Sequence, residues 1–274
     1  MPRNASSKAS RKAKPRVDAL LVERGLAENR VRAQALLLSG AVRVGGEVVT
    51  KAGLRAAPDA EVAIEALRKS AFVSRAGEKL SHALELFGVG VEGRDCLDAG
   101  ASTGGFTDVL LRRGAARVIA VDVGYGQLDW SLRNDPRVVV MERTNARYLS
   151  GGDLPFAPDL LVADLSFISL VVALSNLLST TPSIGEAVVL VKPQFEAGPE
   201  HVSRGGLVRD AVVHAATIRG VAKAFEPLGF GAVSVTRSPV AGRRAGNVEY
   251  PLRLLRTVEA TLDEEQILAA VGGP

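Results

Sequence analysis

The sequence predicts an α/β protein whose main domain is a doubly wound sheet, with a smaller module in front of it. Short apolar runs alternate with amphipathic runs from residue 76 onward, and this alternation is typical of a mainly parallel sheet covered by helices on both faces. A glycine-rich stretch, residues 98–106, lies between one apolar run and the next amphipathic run. Such folds bind ligands beside the carboxyl ends of their strands, so this stretch indicates a binding site.

The composition favours a folded protein with a basic N-terminal arm. The chain has 274 residues, of which 47% are hydrophobic, so a large core is available and global disorder is excluded. Residues 1–16 hold six basic side chains and no acidic one, so the net charge of +4 leaves −2 (4 − 6) for the remainder. A basic arm favours contact with a polyanion, although a solvated tail would look the same.

Several classes of protein are disfavoured. The single cysteine, Cys96, cannot form an internal disulfide, and it fits a reducing compartment. The N-terminus lacks the apolar segment of a signal peptide, and the most apolar stretch, residues 165–178, is too short to span a bilayer. His82, His201 and His214 are scattered without cysteine partners, so we expect no metal site. We expect a cytoplasmic protein that binds no membrane.

The first module, residues 15–68, is predicted to contain two helices and a hairpin. The first helix ends at Gly25, and Asn29 caps a second helix that runs to Ser39. A glycine pair within residues 42–49 suits the tight turn of a hairpin. Residues 1–14 are predicted to be a disordered arm.

Arginines gather at one end of the second helix of this module. Arg30 and Arg32 stand in its first turn, where cations oppose the helix dipole, and this placement favours a docked anion. The module resembles the S4 RNA-binding domain through residues 16–22, 25–27 and 42–44 together with Asn29, Arg30, Ala33, Leu37, Gly40, Gly46 and Lys51. The resemblance implies RNA contacts by Arg16, Arg30, Arg32 and Lys51. The alternative is a packing module that binds no RNA.

The remainder of the chain divides into a linker, residues 69–75, and a large domain, residues 76–274. The linker contains Phe72 and Val73, so we expect it to dock in part rather than to move freely. In the large domain, strands are predicted at 96–98, 117–121, 138–140, 159–164, 187–191, 232–235 and 250–255, and helices at 78–87, 106–113, 126–133 and 210–225. Pro251 suggests that the last strand is an edge strand or contains a bulge.

The glycine-rich stretch does not match the dinucleotide fingerprint, because the residue two positions after Gly100 is Ser102. Asp122 ends the next predicted strand, and a carboxylate at that position can accept both hydroxyls of a ribose. A ribose-binding acid without a pyrophosphate loop suits S-adenosylmethionine. The alternative is a glycine turn between two core strands.

Four charged residues, Lys79, Asp164, Lys192 and Glu249, stand at or near predicted strand and helix ends. Each alone could be an ordinary surface or capping residue. Together, and in this chain order, they resemble the Lys-Asp-Lys-Glu tetrad of the FtsJ-like ribose 2′-O-methyltransferases. A ribose hydroxyl is a weak acid, so the attack on a methyl group needs removal of its proton. A neutral Lys192 could take that proton, or a charged one could stabilise the developing alkoxide.

Motifs along nearly the whole chain after residue 15 are similar to the TlyA family. They lie in residues 73–75, 98–107, 122–127, 130–136, 142–147, 163–169, 191–196 and 246–250. The resemblance implies a Rossmann-like class I methyltransferase sheet behind an α+β S4-like domain, and methylation of cytidine 2′-hydroxyls in ribosomal RNA by a monomer. The implied cofactor contacts are Asp98, Gly100, Ser102, Thr103, Gly104, Gly105, Phe106, Asp122, Val123, Asn145, Ala146 and Asp164. Residues 70–73 depart from the family's Arg-x-Trp-Val-like linker, which bears on the coupling of the two domains.

Two other functions compete with this interpretation. In a base N-methyltransferase, Asp164 to Phe167 would act as an Asp-Pro-Pro-Tyr type motif that binds an amino group, and Lys192 and Glu249 would not be needed. The second alternative is an RNA-binding ribosome assembly factor with a vestigial cofactor site. Some TlyA proteins are also labelled haemolysins, but the sequence offers no membrane-spanning device.

Overall fold

The computed structural model of the protein describes residues 14–38, 40–51, 53–64, 71–242 and 246–273. The chain forms two compact units, residues 1–69 and 70–274. The predicted basic arm lies outside the described residues except for Lys14, and so do Ser39 and the start of the linker. The boundaries proposed from the sequence for the functional domains stay predictions.

The small unit contains two helices and a three-stranded antiparallel sheet. Its elements are α1 (Val17–Glu23), α2 (Arg30–Leu38), β1 (Val42–Val44), β2 (Glu47–Val48) and β3 (Val62–Ile64). Asn29 caps α2, because its Oδ1 accepts from the Arg32 backbone N–H at 2.9 Å. Gly45 and Gly46 both have positive φ, which suits the two-residue turn between β1 and β2. The sequence did not predict β3, which pairs with β1.

The large unit contains a seven-stranded sheet among its described residues. Its strands are β4 (Asp95–Ala99), β5 (Arg117–Val121), β6 (Val138–Met141), β7 (Leu160–Ala163), β8 (Glu186–Val191), β9 (Phe230–Val235) and β10 (Tyr250–Arg256). The spatial order is β6-β5-β4-β7-β8-β10-β9, and β10 runs antiparallel to both of its neighbours. The chain winds outward in both directions from β4 and β7, so these two strands flank the point where ligands bind in open α/β sheets.

Helices cover both faces of this sheet, which confirms the predicted doubly wound α/β fold. They are α3 (Ala76–Leu86), α4 (Gly105–Arg112), α5 (Trp130–Arg133), α6 (Leu170–Thr180), α7 (Pro193–Glu196), α8 (Ala211–Phe225) and α9 (Glu264–Gly272). One apolar cluster includes α6, α8 and α9 residues, and a second includes α3 and α4 residues. The predicted helix at 126–133 is shorter in the structure, because Asp129 caps it by accepting from the Ser131 N–H at 2.9 Å.

The expectation that Pro251 marks an edge strand is wrong, because β10 lies between β8 and β9. The bulge of β10 falls between Arg253 and Leu254 rather than at the proline. The Pro251 carbonyl accepts from the Thr236 N–H at 3.1 Å. In an antiparallel strand, the N and O of one residue face the same neighbouring strand. The Pro251 nitrogen therefore faces the side of β9, just beyond the last residue of that strand. The hydrogen bonds between β10 and β8 do not need a Pro251 N–H and are preserved.

Residues 71–75 pack within the large unit. The Val73 backbone N–H donates to the Asp108 carboxylate at 2.9 Å, and the Arg112 guanidinium lies 5.3 Å from the centre of the Phe72 ring. Gly77 is tightly covered by Phe72, since a Cβ at this position would lie 2.6 Å from the phenylalanine Cβ. The described part of the linker is therefore anchored to both α3 and α4.

Candidate active site

Four charged side chains meet at the carboxyl edge of the parallel strands. Asp164 follows β7 directly and Lys192 follows β8, while Glu249 directly precedes β10. The register pairs Tyr250 with Val191, so the next position outward brings Glu249 opposite Lys192. Lys79 reaches the same place from the first turn of α3, whose buried face packs against the sheet.

The four side chains form a continuous charged cluster. Lys192 Nζ lies 2.5 Å from Asp164 Oδ1, and Lys79 Nζ lies 3.7 Å from the other oxygen of the same carboxylate. Lys79 also donates to Glu249 Oε2 at 2.5 Å. The order Lys192, Asp164, Lys79, Glu249 therefore alternates in charge, and the structure brings together all four residues that the sequence singled out.

Burial makes this pairing necessary. Lys79, Lys192 and Glu249 are 8%, 5% and 3% exposed, and buried charges are tolerated only when they are paired. With two cations and two carboxylates, the ionised cluster is neutral. Lys192 has a further partner that the sequence did not suggest, because its Nζ donates to Ser166 Oγ at 3.1 Å. The lysine amine is thus held at a defined position beside the cavity.

A cavity of about 560 Å³ opens beside the cluster. Its wall includes the four charged residues, and parts of the loop 100–106. Its volume lies in the range of sites that bind small molecules. The cavity therefore joins the glycine-rich loop to the charged cluster in one space.

The glycine loop is shaped by positions that exclude a side chain. Gly100 has φ +88°, and a Cβ there would lie 2.7 Å from the carbonyl oxygen of Asp164. Gly104 has φ +94°, and a Cβ there would overlap the Leu132 side chain. Gly105 opens α4 against Ser74 in the same close way. These contacts fix the path of the loop, and residues 100–103, which line the cavity, form a cradle of backbone that a ligand can approach.

Ser102, Thr103 and Phe106 contribute to the cavity wall from this loop. Ser102 adopts φ 50°, a left-handed conformation that is uncommon outside glycine. Its N–H donates to Asp122 Oδ2 at 2.7 Å, which stabilises the conformation. Phe106 is the first fully apolar side chain of α4 and is 4% exposed.

Asp122 ties two loops together. Besides the bond to Ser102, its Oδ1 accepts from the Gly124 N–H at 2.7 Å. Each carboxylate oxygen can accept more than one hydrogen bond, so the group can hold the loops and still accept from a ligand. Its neighbour Val123 is 68% exposed. After β6, Asn145 Oδ1 caps a short 3₁₀ turn by accepting from the Arg147 N–H at 3.0 Å, and Ala146 is buried in that turn.

Asp98 lies inside β4 and is fully buried behind the loop. Its Oδ2 accepts from the Thr107 hydroxyl at 2.7 Å, which connects the strand to α4. Burial raises the pKa of the Asp98 carboxyl to about 7. This placement favours support of the loop from behind over a direct contact with a ligand.

Phe167 is an exposed aromatic residue on the wall of the cavity. It adopts φ 66° and is 73% exposed, and its ring centre lies 5.2 Å from that of Phe195. Strained backbone at a solvent-facing aromatic residue is typical of functional positions. The ring can serve as a stacking surface for a planar group.

Comparison with known proteins identifies the family. The model of the FtsJ-like methyltransferase family matches residues 72–254, and that of the S4 domain matches residues 15–62. The chain is 48% identical over 256 residues to the 16S/23S rRNA (cytidine-2′-O)-methyltransferase TlyA of Mycobacterium tuberculosis, with 93% of this chain and 95% of the relative covered. The chain belongs to the TlyA family.

Other TlyA relatives agree with this assignment. The 23S rRNA (cytidine-2′-O)-methyltransferase TlyA of Campylobacter jejuni is 36% identical, with 65% of this chain and 69% of the relative covered. A solved structure from Streptococcus thermophilus, labelled a candidate hemolysin, has a TM-score of 0.71 at 38% identity and covers 95% of each chain.

The four residues that the S4 resemblance assigns to RNA binding lie in the small unit and differ in their surroundings. Arg16 forms a double hydrogen bond with Asp18, with Nη2 at 2.8 Å and Nε at 3.0 Å. Arg30, Arg32 and Lys51 are exposed and have no ion-pair partner among the residues that the structure describes. The Arg16 guanidinium is therefore committed to an intramolecular pair, while the other three cations remain accessible.

The described parts of this TlyA-family chain contain no group of three or more His, Cys, Asp or Glu side chains placed to hold a metal ion. Nor does any helix in those parts combine the length and apolar character needed to cross a bilayer. Cys96 is buried, and burial raises the pKa of its thiol to about 12, so it is a core residue rather than a nucleophile.

Proposed function

We propose that this protein is an S-adenosylmethionine-dependent methyltransferase that modifies the ribose 2′-hydroxyl of cytidine in ribosomal RNA. The main support is the cluster of Lys192, Asp164, Lys79 and Glu249 beside the glycine cradle. The names of the M. tuberculosis and C. jejuni relatives specify the same reaction. Because ribosomal RNA is the proposed substrate, we also propose that the enzyme acts in the cytoplasm.

The residues of the cradle suit the chemistry of the cofactor. The backbone of residues 100–105 would hold its amino-acid and sugar portions, and Asp122 would accept its ribose hydroxyls. Asn145 and Ala146 would border the adenine, next to the exposed Val123. The bound cofactor supplies a sulfonium methyl group, which is an electrophile.

The protein's own residues transfer one proton in this reaction. Lys192, paired as an ammonium with Asp164 in the resting cluster, first releases its proton to solvent. Its neutral amine then accepts the proton of the 2′-hydroxyl while the ribose oxygen gains the methyl group and the methyl–sulfur bond breaks. Its ammonium product is stabilised by Asp164, whose Oδ1 lies 2.5 Å from the nitrogen. Lys79 lies near the other oxygen of that carboxylate and is itself paired with Glu249. These two residues therefore hold the Asp164 carboxylate in place. Accurate placement of such groups accounts for much of the rate of two-substrate reactions.

The exposed ring of Phe167 would stack on the target base, which keeps the ribose directed at Lys192. Base N-methylation is less compatible with this arrangement. In that reaction, Asp164 would have to accept a hydrogen bond from an exocyclic amino group, whereas both of its oxygens are already near ammonium groups.

We propose that residues 15–68 anchor the RNA and that residues 76–274 carry out the methyl transfer, with the protein acting as a monomer. Arg30, Arg32 and Lys51 would contact phosphates of a ribosomal subunit, because they are exposed and without acidic partners among the described residues. Binding should therefore weaken with salt by about 0.7 to 0.9 log units per log unit of salt for each contact.

The reaction is tested by mass mapping of ribose methylation on ribosomal RNA from cells with and without the gene. Cytidine 2′-O-methyl groups should disappear in the deletion strain, return with the unmodified gene and not return with Lys192→Ala. Identical ribose methylation in all strains, or a lost base methyl group instead, would refute the proposed function.

Cofactor binding is tested separately by calorimetry with S-adenosylmethionine. Asp122→Asn should weaken binding at least tenfold, because a neutral amide accepts hydrogen bonds less strongly than a carboxylate. Asp129→Asn, which changes an exposed helix-capping acid, is the matched control. Equal affinities of the two variants would reject Asp122 as the ribose ligand.

A further inference from the structure

The charged cluster leaves no net positive charge for a nucleotide's phosphate. Lys79 is paired with Glu249 and Lys192 with Asp164, so the ionised cluster is neutral. A nucleotide of RNA enters with at least one phosphodiester charge beside the ribose that reacts. An additional cation near the cavity is therefore needed to bind that phosphate.

Two exposed arginines line the same cavity as Lys192 and Glu249, Arg75 before α3 and Arg204 beside Gly205. Arg204 has no ion-pair partner among the residues that the structure describes, and its segment is tied to the residues that precede β10. A Cβ built on Gly205 would meet no atom within 4 Å. The space beside the Gly205 backbone is thus open, and an RNA backbone can approach the chain closely there.

The segment that carries Arg204 is held in place by the side chain of Asn247. Asn247 Nδ2 donates to the Gly206 carbonyl at 2.7 Å, and its Oδ1 accepts from the Val208 N–H at 3.1 Å. Asn247 is 3% exposed and stands two residues before Glu249. It therefore fixes the Arg204 segment relative to the strand that presents a residue of the charged cluster.

His214 holds the same segment from the other side. It is 5% exposed, and its Nε2 lies 3.0 Å from the Val208 carbonyl. A carbonyl only accepts, so Nε2 carries a proton, and in the neutral imidazole Nδ1 accepts from the Tyr250 hydroxyl at 2.7 Å. The buried side chains of Asn247 and His214 thus satisfy both polar backbone groups of Val208. His214 also contacts Tyr250, the residue next to Glu249.

We propose that Arg204 binds a backbone phosphate of the target nucleotide, and that Asn247 and His214 are positioning residues that hold its segment at the cavity. The assignment rests on the proposed function, since it takes RNA as the substrate. A guanidinium suits this role because its planar donors bind two phosphate oxygens at once. The contact would fix the ribose between Lys192 and a phosphate site.

The test uses the full chain and unmodified ribosomal subunits, with methyl transfer and RNA affinity both measured over a salt series. Arg204→Ala should raise the KM for RNA about tenfold, leave the cofactor Kd unchanged, and reduce the salt slope by about 0.7 to 0.9. Arg204→Lys should recover part of the affinity. Arg209→Ala is the matched control, because it removes the same charge from an exposed position nearby that does not line the cavity.

Asn247→Ala tests the positioning role. It should also raise the KM for RNA, but it should add nothing to the effect of Arg204→Ala in the double variant. Cofactor affinity and thermal unfolding of each variant report whether the fold is kept. If Arg204→Ala matches Arg209→Ala, the phosphate contact is refuted, and an additive Asn247 effect refutes the positioning role.

Failure of the proposed function gives a different result. The unmodified chain would then transfer no methyl group to ribosomal RNA. The RNA affinities over the salt series would still compare Arg204→Ala with Arg209→Ala, so the phosphate contact is tested in either case.

Discussion

Glu249 and Lys192 occupy facing positions in the register of β10 and β8, yet each is paired with a different residue. The Tyr250–Val191 pair sets this register. The Glu249 carboxylate bonds to Lys79 at 2.5 Å, and the Lys192 amine contacts Asp164 at 2.5 Å. The two facing side chains therefore act at opposite ends of the cluster, with Asp164 and Lys79 between them.

Lys192→Ala should abolish methyl transfer while cofactor binding is kept. Loss of a group that moves a proton in the transition state lowers the rate by about 10² to 10⁴-fold. A radiolabelled methyl assay measures transfer, and calorimetry measures cofactor affinity. Lys223→Ala, which removes an exposed lysine of α8, is the control. Near-native turnover of Lys192→Ala would exclude this residue as the base.

Glu249→Gln should destabilise the protein more than removal of the whole pair. The single change removes the nearer carboxylate from the buried Lys79 ammonium and leaves it only Asp164 at 3.7 Å, so it costs at most about 3 to 5 kcal/mol, the value for a broken buried pair. The double variant Lys79→Met/Glu249→Gln should regain stability but not activity. Urea unfolding and the methyl assay measure the two effects. Recovery of activity in the double variant would mean that the pair only supports the fold.

The Asp98 carboxyl should make stability depend on pH. Burial raises its pKa from 3.8 to about 7, so its contribution is fully present below pH 3.8 and is lost as the pH rises through 7. The difference of about 3 units corresponds to at most about 4 kcal/mol. Asp98→Asn should remove this decline, and urea unfolding at pH 5 to 8 measures it.

Asp129 provides a control, because its pKa is shifted in the direction opposite to that of Asp98. Hydrogen bonds from Ser131 lower the pKa of the Asp129 carboxyl, so its contribution is present above the unfolded value and is lost as the pH falls. Asp129→Asn should therefore leave the decline between pH 5 and 8 in place. A parallel pH profile for Asp98→Asn and the unmodified chain would show that Asp98 does not titrate in this range.

Arg16 should matter for stability, and Arg30 and Arg32 for RNA affinity. Arg16 pairs with Asp18, whose side chain is fully buried, so Arg16→Ala should lower the Tm. Arg30→Ala and Arg32→Ala should leave the Tm unchanged and should weaken RNA binding with a smaller salt slope. Calorimetric melting and filter binding measure these effects. If Arg16→Ala has a normal Tm but binds RNA more weakly, Arg16 contacts RNA and does not mainly stabilise the fold.

The sequence predicted the elements whose signal is local. Residues 117–121 form β5 as predicted, because an unbroken apolar run has few alternatives to a buried strand. The helix α6 was missed, although its buried residues recur at helical spacing: Leu170, Ala173, Leu174, Leu177 and Leu178. The capping box of α9, in which Asp263 and Gln266 cap each other's backbone, was a signal that could have been used.

The sequence predicted which residue types form the site, but not which side chains contact each other. Family resemblance brought Lys79 and Glu249 together, since no local pattern relates residues that are 170 positions apart. Ser166, Asn247 and Arg204 were missed as site residues. Ser166 and Asn247 act through contacts that depend on the packing of distant segments, and an unpaired arginine in a glycine loop has no distinctive sequence signature.

The insertion of β10 between β8 and β9 determines when the enzyme can become active during its own synthesis. β9 is translated before β10, yet it joins the sheet only through β10. The Lys79–Glu249 contact joins residues that are 170 positions apart. Such long-range contacts form late in folding, because the chain entropy is lost before the contact energy is gained. A nascent chain that has not released β10 therefore has its glycine cradle without its complete charged cluster.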